Sequence, residues 1–354
     1  MDSLTQIVLG ASVGELVAGK KLGNKAVFWG AVAGTIPDLD VMFNPLVSET
    51  ARLSIHRGFS HSFAFAFLFA PLFGYLLWKI YKKSEANFWD WTSLFFWGII
   101  THFMLDSFTN YGTQIFNPFS DFRVSWNTIF VIDPFYTLPF LGLVVALMFF
   151  KKGSTRRLRL NYFALGISSF YLMFTVVNKQ YINSVFESAA KSNNIEYSRY
   201  MSAPTPFNNF LWRGLFEAED GYYETYYSWF DDTANLEFTY IPTNRHKLAG
   251  LEDTEPVKKL KWFSNGYYSI TSDEENLYFN DIRFGTIGGW NNSNANYVFS
   301  FKLIRGENLS IARSFDGMKL NSKLIHDFLY RIIGQKVNSY GEITEERHDS
   351  SKRD

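Results

Sequence analysis

The chain has 354 residues, 34 basic and 34 acidic side chains and no net charge, which removes bulk electrostatic capture of nucleic acid from the candidate functions. It has no cysteine, so disulfides, thiolate metal sites, iron–sulfur clusters and cysteine nucleophiles are excluded together. Aromatic residues make up 19% of the chain, and its charges are unevenly spread: residues 1–180 hold 15 Lys+Arg and 10 Asp+Glu, against 19 and 24 in the remainder.

A helix needs about 20 apolar residues to cross the hydrocarbon of a bilayer. In chain order, six segments approach that length: Leu4–Gly19, Ala26–Phe43, Ser62–Ile80, Trp91–Phe108, Pro134–Phe150 and Leu160–Asn178. The first carries Glu15 and the second Pro37, Asp38 and Asp40, but Gly10, Gly14, Gly30 and Gly34 suit them to close packing against other helices. The expectation is an α-helical multi-pass membrane domain of about six helices over 1–180. Short cytoplasmic loops carry the excess of Lys and Arg. Lys20, Lys21 and Lys25, then Lys79, Lys82 and Lys83, then Lys151, Lys152, Arg156, Arg157 and Arg159 mark three alternate loops as cytoplasmic. This places the loops 44–61 and 109–133, and the chain after 179, outside. Met1-Asp2-Ser3 supplies no basic region for a cleavable signal peptide.

Beyond residue 181 the pattern changes to aromatic and polar alternation, in Gly221–Phe230, Leu236–Ile241, Leu277–Phe284 and Tyr297–Ile304, with turns at Gly288-Gly289 and Asn291–Asn296. Period-two alternation broken by Gly and Asn predicts antiparallel strands. Helices are predicted at Thr254–Phe263 and Ser322–Ile333. A β-rich α+β soluble domain is therefore expected over 181–336 on the extracytoplasmic side, with its protein partner unknown. A charged, disordered tail is expected over 337–354.

Ionisable residues inside a membrane domain are costly and commonly functional. His56 and His61 bracket His56-Arg57-Gly58-Phe59-Ser60-His61; Asp38 and Asp40 lie where Pro37 interrupts a helix; His102 and Asp106 are four apart and share a helix face. Each has a bland alternative: a D-x-D is often a cap or turn, H-x-x-x-D a surface pair, and Arg57 an interfacial anchor. The topology drawn from lysines alone nevertheless puts every one of them on a single membrane face. Imidazoles and carboxylates without thiolate suit a divalent metal, Zn²⁺ first and Mn²⁺ or Fe as alternatives, with His56, His61, His102, Asp106, Asp38 and Asp40 as candidate ligands. Such an ion activates water for hydrolysis, with Asp38 and Arg57 as candidate catalytic groups and Arg57 holding an anionic substrate. Asp2, Thr5 and Gln6 are weaker candidates at the N-terminus, for a ligand or a supporting hydrogen bond, and Asp133 reads as an N-cap before Pro134. Asn110, Tyr111, Trp126 and Asn127 are candidates for the mouth of the site. His246, His326 and His348 have no matching neighbours and read as surface histidines.

With its opening Met1-Asp2-Ser3-Leu4-Thr5-Gln6, Gly34-x-x-Pro37-Asp38-Leu39-Asp40, His56-Arg57-Gly58-x-Ser60-His61-Ser62 and His102-x-x-x-Asp106, the first 180 residues resemble the YdjM-like inner-membrane proteins. These are described as metal-dependent hydrolases, some labelled LexA-binding. The resemblance implies a helical membrane domain with a bound divalent metal, and distant kinship to zinc-dependent phospholipase C and the single-strand nucleases of that superfamily. The function expected is hydrolysis of a phosphoester or other ester in a membrane lipid or lipid-linked substrate at the bacterial inner membrane. A non-enzymatic transporter, or a metal-binding scaffold or assembly protein, is the competing class.

Overall fold

The computed structural model describes residues 1–231, 236–290, 296–314 and 322–335. Part of the expected Asn291–Asn296 turn, the tail 337–354 and His348 lie outside the described residues. The chain divides into two compact units, Met1–Tyr181 with Ala203–Asn209, and Ile182–Ser202 with the residues from Phe210 onward.

The first unit is helical. Its helices are α1 (Ser3–Leu22), α2 (Asn24–Ala33), the short α3 (Glu49–Ile55), α4 (Phe63–Ile80), α5 (Phe88–Asp106), α6 (Pro134–Leu147) and α7 (Thr155–Ser192), with 3-10 segments at Ile36–Leu46 and Phe59–His61. Local sequence explains their starts. Asp2 caps α1 by accepting from the Thr5 amide, Ser62 caps α4, Asn87 and Asp90 form a reciprocal capping box on α5, and Asp133 accepts from the Phe135 and Tyr136 amides with Pro134 at the first helical position of α6. Pro37 has no amide hydrogen to continue α2 and opens the looser 3-10 segment that carries Asp38 and Asp40.

Six long helical stretches were expected to cross the membrane. Three are long and apolar enough to do so, Asn24–Leu46, Phe63–Ile80 and Thr155–Ser192; Pro134–Leu147 is apolar but shorter. The remaining two, α1 and α5, carry Glu15, Lys20 and Lys21, and Asp90, His102 and Asp106. Both are largely buried, α1 against α2, α5 and α6, and α5 against α1, α2 and α4. Polar groups there meet protein rather than lipid, so hydropathy understates how well these helices are housed.

The α1–α2 hairpin closes through glycine. A Cβ on Gly14 would stand 2.3 Å from the Ala26 carbonyl oxygen, and one on Gly30 would stand 2.3 Å from that of Gly10. Both obstacles are backbone, which cannot swing aside. Gly30→Ala is therefore expected to cost about 3 kcal/mol of stability, the upper range for overpacking, measured by denaturant titration of the purified protein in micelles.

The second unit holds two four-stranded sheets in chain order, β1 (Arg199–Pro204), β2 (Leu211–Glu217), β3 (Gly221–Ser228) and β4 (Thr239–Pro242), then β5 (Tyr268–Ser272), β6 (Leu277–Asp281), β7 (Ser300–Ile304) and β8 (Ser310–Ser314). The pairings β2–β3, β3–β4, β5–β6, β6–β7 and β7–β8 are antiparallel. Helices α8 (Glu255–Phe263) and α9 (Ser322–Ile332) accompany them, and Ile182, Phe186, Ala189 and Ala190 from the last turns of α7 pack with Trp212, Phe216 and Tyr227. His246 and His326 are exposed in this unit.

Candidate metal centre

Three separated stretches of the first unit deliver ionisable side chains to one buried point. Asp38 comes from the 3-10 segment after α2, His61 from the short 3-10 turn before α4, and His102 and Asp106 from successive turns of α5. Each offers one ligand atom, and the four atoms lie within 4.8 Å of one another. His61 Nε2 is 3.1 Å from His102 Nε2, 3.3 Å from Asp38 Oδ1 and 3.5 Å from Asp106 Oδ2. His102 Nε2 is 3.5 Å from each of the same two carboxylate oxygens. A tetrahedral ion with ligands at 2.0–2.1 Å sets neighbouring ligand atoms about 3.3 Å apart. The five separations straddle that spacing.

Hydrogen bonding around the cluster fixes which ring nitrogens face inward. His102 Nδ1 lies 2.6 Å from the Gly34 carbonyl, which can only accept, so Nδ1 carries a hydrogen and Nε2 is the ring nitrogen turned to the cluster. His61 Nδ1 is 2.9 Å from Ser60 Oγ, and Ser60 donates onward to Asp40 Oδ2 at 3.2 Å, with Asp40 Oδ2 itself 3.5 Å from the ring. His61 is thereby held with its Nε2 lone pair inward as well. Burial pushes its imidazole down to about 4, which keeps the ring neutral and able to bind a cation. Two ring nitrogens and two carboxylate oxygens thus converge, and the two carboxylates match the charge of a divalent ion. Asp106 Oδ2 is buried without a hydrogen-bond donor, as expected of an atom reserved for a metal. The residues present fit such an ion.

The surroundings hold these groups. Gln6 Nε2 donates to Asp106 Oδ1 at 3.0 Å and to the His102 carbonyl at 3.2 Å, and the Met1 amino group also meets Asp106 Oδ1. Arg57, 4% exposed, donates from Nη1 to Thr109 Oγ1 at 2.8 Å, lies with its guanidinium 4.9 Å from the Tyr111 ring centre, and brings Nε to 3.3 Å from Asp106 Oδ2. That Nε has no hydrogen-bond partner. Arg57 has a left-handed backbone with φ of 58°, a costly conformation for a non-glycine residue, which turns the chain sharply between His56 and His61.

Of the six residues expected as ligands, four converge and two stand beside them. His56 Nδ1 lies 3.0 Å from Asp40 Oδ1, and its ring packs edge-on against Tyr111. The 3-10 geometry accounts for the split of Asp38 from Asp40: at three residues per turn, positions two apart point about 120° away from each other. Asp40 instead receives the Arg57 amide at 3.1 Å and the Ser60 hydroxyl, holding the 56–61 loop from beneath. Asp40→Asn is expected to weaken metal binding by about 10- to 100-fold while leaving the stoichiometry intact, read by competition with a chromophoric chelator. Ser60 and Thr109 escape sequence reasoning; only the position of Ser60 beside His61 hints at a role. Of the candidates for the mouth, Tyr111 stacks against His56 and Arg57, whereas Trp126 packs on Phe108.

The profile of the YdjM inner membrane protein family matches residues 1–182, which contain the whole cluster. The chain is 28% identical over 152 residues to YfhP of Bacillus subtilis (strain 168), a protein described as uncharacterized; this match covers 41% of the chain and 45% of YfhP. It is also 28% identical over 138 residues to the inner membrane protein YbcI of Escherichia coli (strain K12), covering 35% of the chain and 78% of YbcI. The chain thus spans under half the length of YfhP. No solved structure matches. With half of its length under one family profile, and the motifs of that half meeting at a single buried point, the chain belongs to the YdjM inner membrane protein family.

Proposed function

We propose that the protein is a metal-dependent hydrolase of the bacterial inner membrane, acting on a phosphoester or other ester in a lipid or lipid-linked substrate. The observation that carries this reading is the convergence of four ligand atoms, from the half-buried Asp38 and the buried His61, His102 and Asp106, at the spacing of ligands around one ion. A divalent ion held there, Zn²⁺ by the chemistry of its donors, would supply activated water at a fifth position on the side of the partly exposed Asp38, and would polarise the scissile group.

The protein's own residues supply the rest. Arg57 places a buried guanidinium beside the cluster, and its Nε, paired with Asp106 Oδ2 at 3.3 Å without a hydrogen bond, is the donor that turns to an anionic oxygen of the substrate. Tyr111 and Thr109 fix the plane of that guanidinium. Ser60 and Asp40 keep the His61 ring in the tautomer that binds a cation. Asp38, 22% exposed at its side chain, is the least enclosed of the four and lies where substrate would approach.

In this reading six helices cross the bilayer, with α1 and α5 inside the bundle, and the basic loops facing the cytoplasm. The site and the β-rich unit then lie on the extracytoplasmic side. The test uses full-length protein in nanodiscs of phosphatidylethanolamine and phosphatidylglycerol, assayed for phosphate or headgroup release after loading with Zn²⁺. Arg57→Lys is expected to bind metal as wild type does and to lose hydrolysis by at least 100-fold, because a lysine cannot reproduce the planar donor set. Wild-type protein that holds metal yet moves it across sealed vesicles without hydrolysing lipid would assign the cluster to transport instead.

A further inference from the structure

The segment between α5 and α6 carries a feature that the metal chemistry does not use. Within Ile115-Phe116-Asn117-Pro118-Phe119-Ser120-Asp121-Phe122, three phenylalanines point outward: Phe116 is 49% exposed, Phe119 91% and Phe122 64%. Three large rings exposed on one short turn are not what a water-facing loop presents.

The turn is built, not loose. A bridge between Thr113 and Val124, 2.9 Å in both directions, closes its base. Inside it the Asn117 amide donates to the Gln114 carbonyl, the Phe119 and Ser120 amides to the Phe116 carbonyl, and the Phe122 amide to the Ser120 hydroxyl. Satisfied internally, these four amides make no demand on water, which eases their approach to the apolar edge of a bilayer. Arg123 stays at the base, donating to the carbonyls of Leu53, Tyr111 and Gly112.

Its position is equally specific. The Phe63 amide, at the start of α4, donates to the Ile115 carbonyl at 3.1 Å, and the Phe63 and Phe116 rings lie 6.3 Å apart. Helix α4 is long and apolar enough to cross a membrane, and Phe67, Leu68 and Leu72 are exposed along it. The outward phenylalanines thus continue the lipid-facing surface of α4 past its N-terminus. The same turn is fastened to the site: the Gln114 amide donates to the Arg57 carbonyl at 3.0 Å, and its Nε2 donates to the Ser54 carbonyl at 2.9 Å.

We infer that the Phe116–Phe122 turn is an interfacial anchor that lies in the lipid leaflet into which α4 opens, holding the bilayer surface against the lip of the His/Asp cluster. Aromatic rings are favoured at this depth, where apolar area is buried at the headgroup boundary. This deepens the lipid-substrate reading by naming the route of approach, from the leaflet rather than from water, but its test does not depend on hydrolysis.

Because the chain has no cysteine, Phe119→Cys introduces the only thiol and accepts a nitroxide label without further mutation. Phe67→Cys on α4 serves as the lipid reference and the exposed Glu274→Cys of the second unit as the aqueous one. In nanodiscs containing full-length protein, collision rates of the label with oxygen, which partitions into lipid, are compared with those of a water-soluble nickel chelate. The expected result is an oxygen-dominated ratio at 119 that approaches the value at 67. A second label at Phe122→Cys should agree, guarding against a local disturbance at 119. A chelate-dominated ratio at both positions, equal to that at 274, would overturn the inference; it would leave metal binding and hydrolysis, which are read separately, untouched.

Discussion

Replacing His102 with alanine should lower divalent-metal affinity on the order of 100-fold or more and abolish hydrolysis, with metal-to-protein stoichiometry falling below one at micromolar free Zn²⁺. The size follows from the gross affinity of four-ligand zinc sites, about 10–16 kcal/mol, so that one ligand carries about 3 kcal/mol. His102 is 1% exposed and its ring is pinned by the Gly34 carbonyl, so no neighbour can move in to replace it. The same change removes the imidazole that stands 3.5 Å from both the Asp38 and the Asp106 carboxylates, so the two acids lose a shared neighbour as the ion loses a ligand. His56→Ala is the contrasting variant: His56 pairs with Asp40 outside the four ligand atoms, and this change should preserve stoichiometry. Inductively coupled plasma mass spectrometry of the two purified variants separates these outcomes.

The second large effect is expected away from the site. Arg157, at the start of α7, is 2% exposed and grips Glu15 of α1 with two parallel bonds, Nε to Oε1 at 2.7 Å and Nη2 to Oε2 at 2.6 Å. Its Nη1 is also satisfied, by the Asn24 side chain at 2.7 Å and the Phe150 carbonyl at 3.1 Å. Arg157→Met strands the Glu15 carboxylate in the interior, which should cost about 3–5 kcal/mol. The double change Glu15→Gln with Arg157→Met removes both charges and should recover most of that loss, because the attraction between two buried charges largely offsets the cost of taking them out of water. Equal losses in the single and double variants would show that the arginine acts through packing alone. Stability of the folded bundle in mixed micelles, followed by circular dichroism, measures both.

The sequence made the helical unit readable because its signals are local. Five of the expected apolar stretches fall mainly on one helix each, Ala26–Phe43 being divided between α2 and the 3-10 segment after it, and the caps at Asp2, Ser62, Asn87 and Asp133 mark where four helices begin. Crossing number was less legible: α1 and α5 are sheltered by neighbouring helices, a tertiary fact that hydropathy along a single chain does not carry. Helix α7 runs 38 residues, well past the apolar segment Leu160–Asn178, since its last turns bury one stripe among the strands of the second unit and have no need of lipid. In that unit β3, β4, β6 and β7 could be seen from alternation, whereas β2 could not. All but one of the residues of Leu211–Glu217 are buried, so both faces are covered and the period of two disappears. β1, β5 and β8 went unread, and length does not account for it, since β4, β6 and β7 are no longer.

The cluster itself was half written in spacing. His102 and Asp106 share a face of α5 by helical geometry alone, and that pairing needed only the period of 3.6. Which of His56 and His61, and which of Asp38 and Asp40, would join them depended on the left-handed turn at Arg57 and on the 3-10 winding after Pro37, and neither has a sequence signature strong enough to decide it. Gln6 was a candidate from its place at the N-terminus, whereas Ser60 and Thr109 act through contacts with Asp40 and Arg57, far away in the chain, where local patterns are silent.

Zinc K-edge X-ray absorption on the full-length protein in nanodiscs, loaded with one equivalent of Zn²⁺, addresses the metal centre directly. A shell of four or five nitrogen and oxygen neighbours at about 2.0–2.2 Å, with the outer-shell scattering of two imidazoles, is the spectrum that Asp38, His61, His102 and Asp106 would produce with or without a bound water. A six-oxygen shell without imidazole scattering, as for an ion resting loosely on surface carboxylates, would contradict the account.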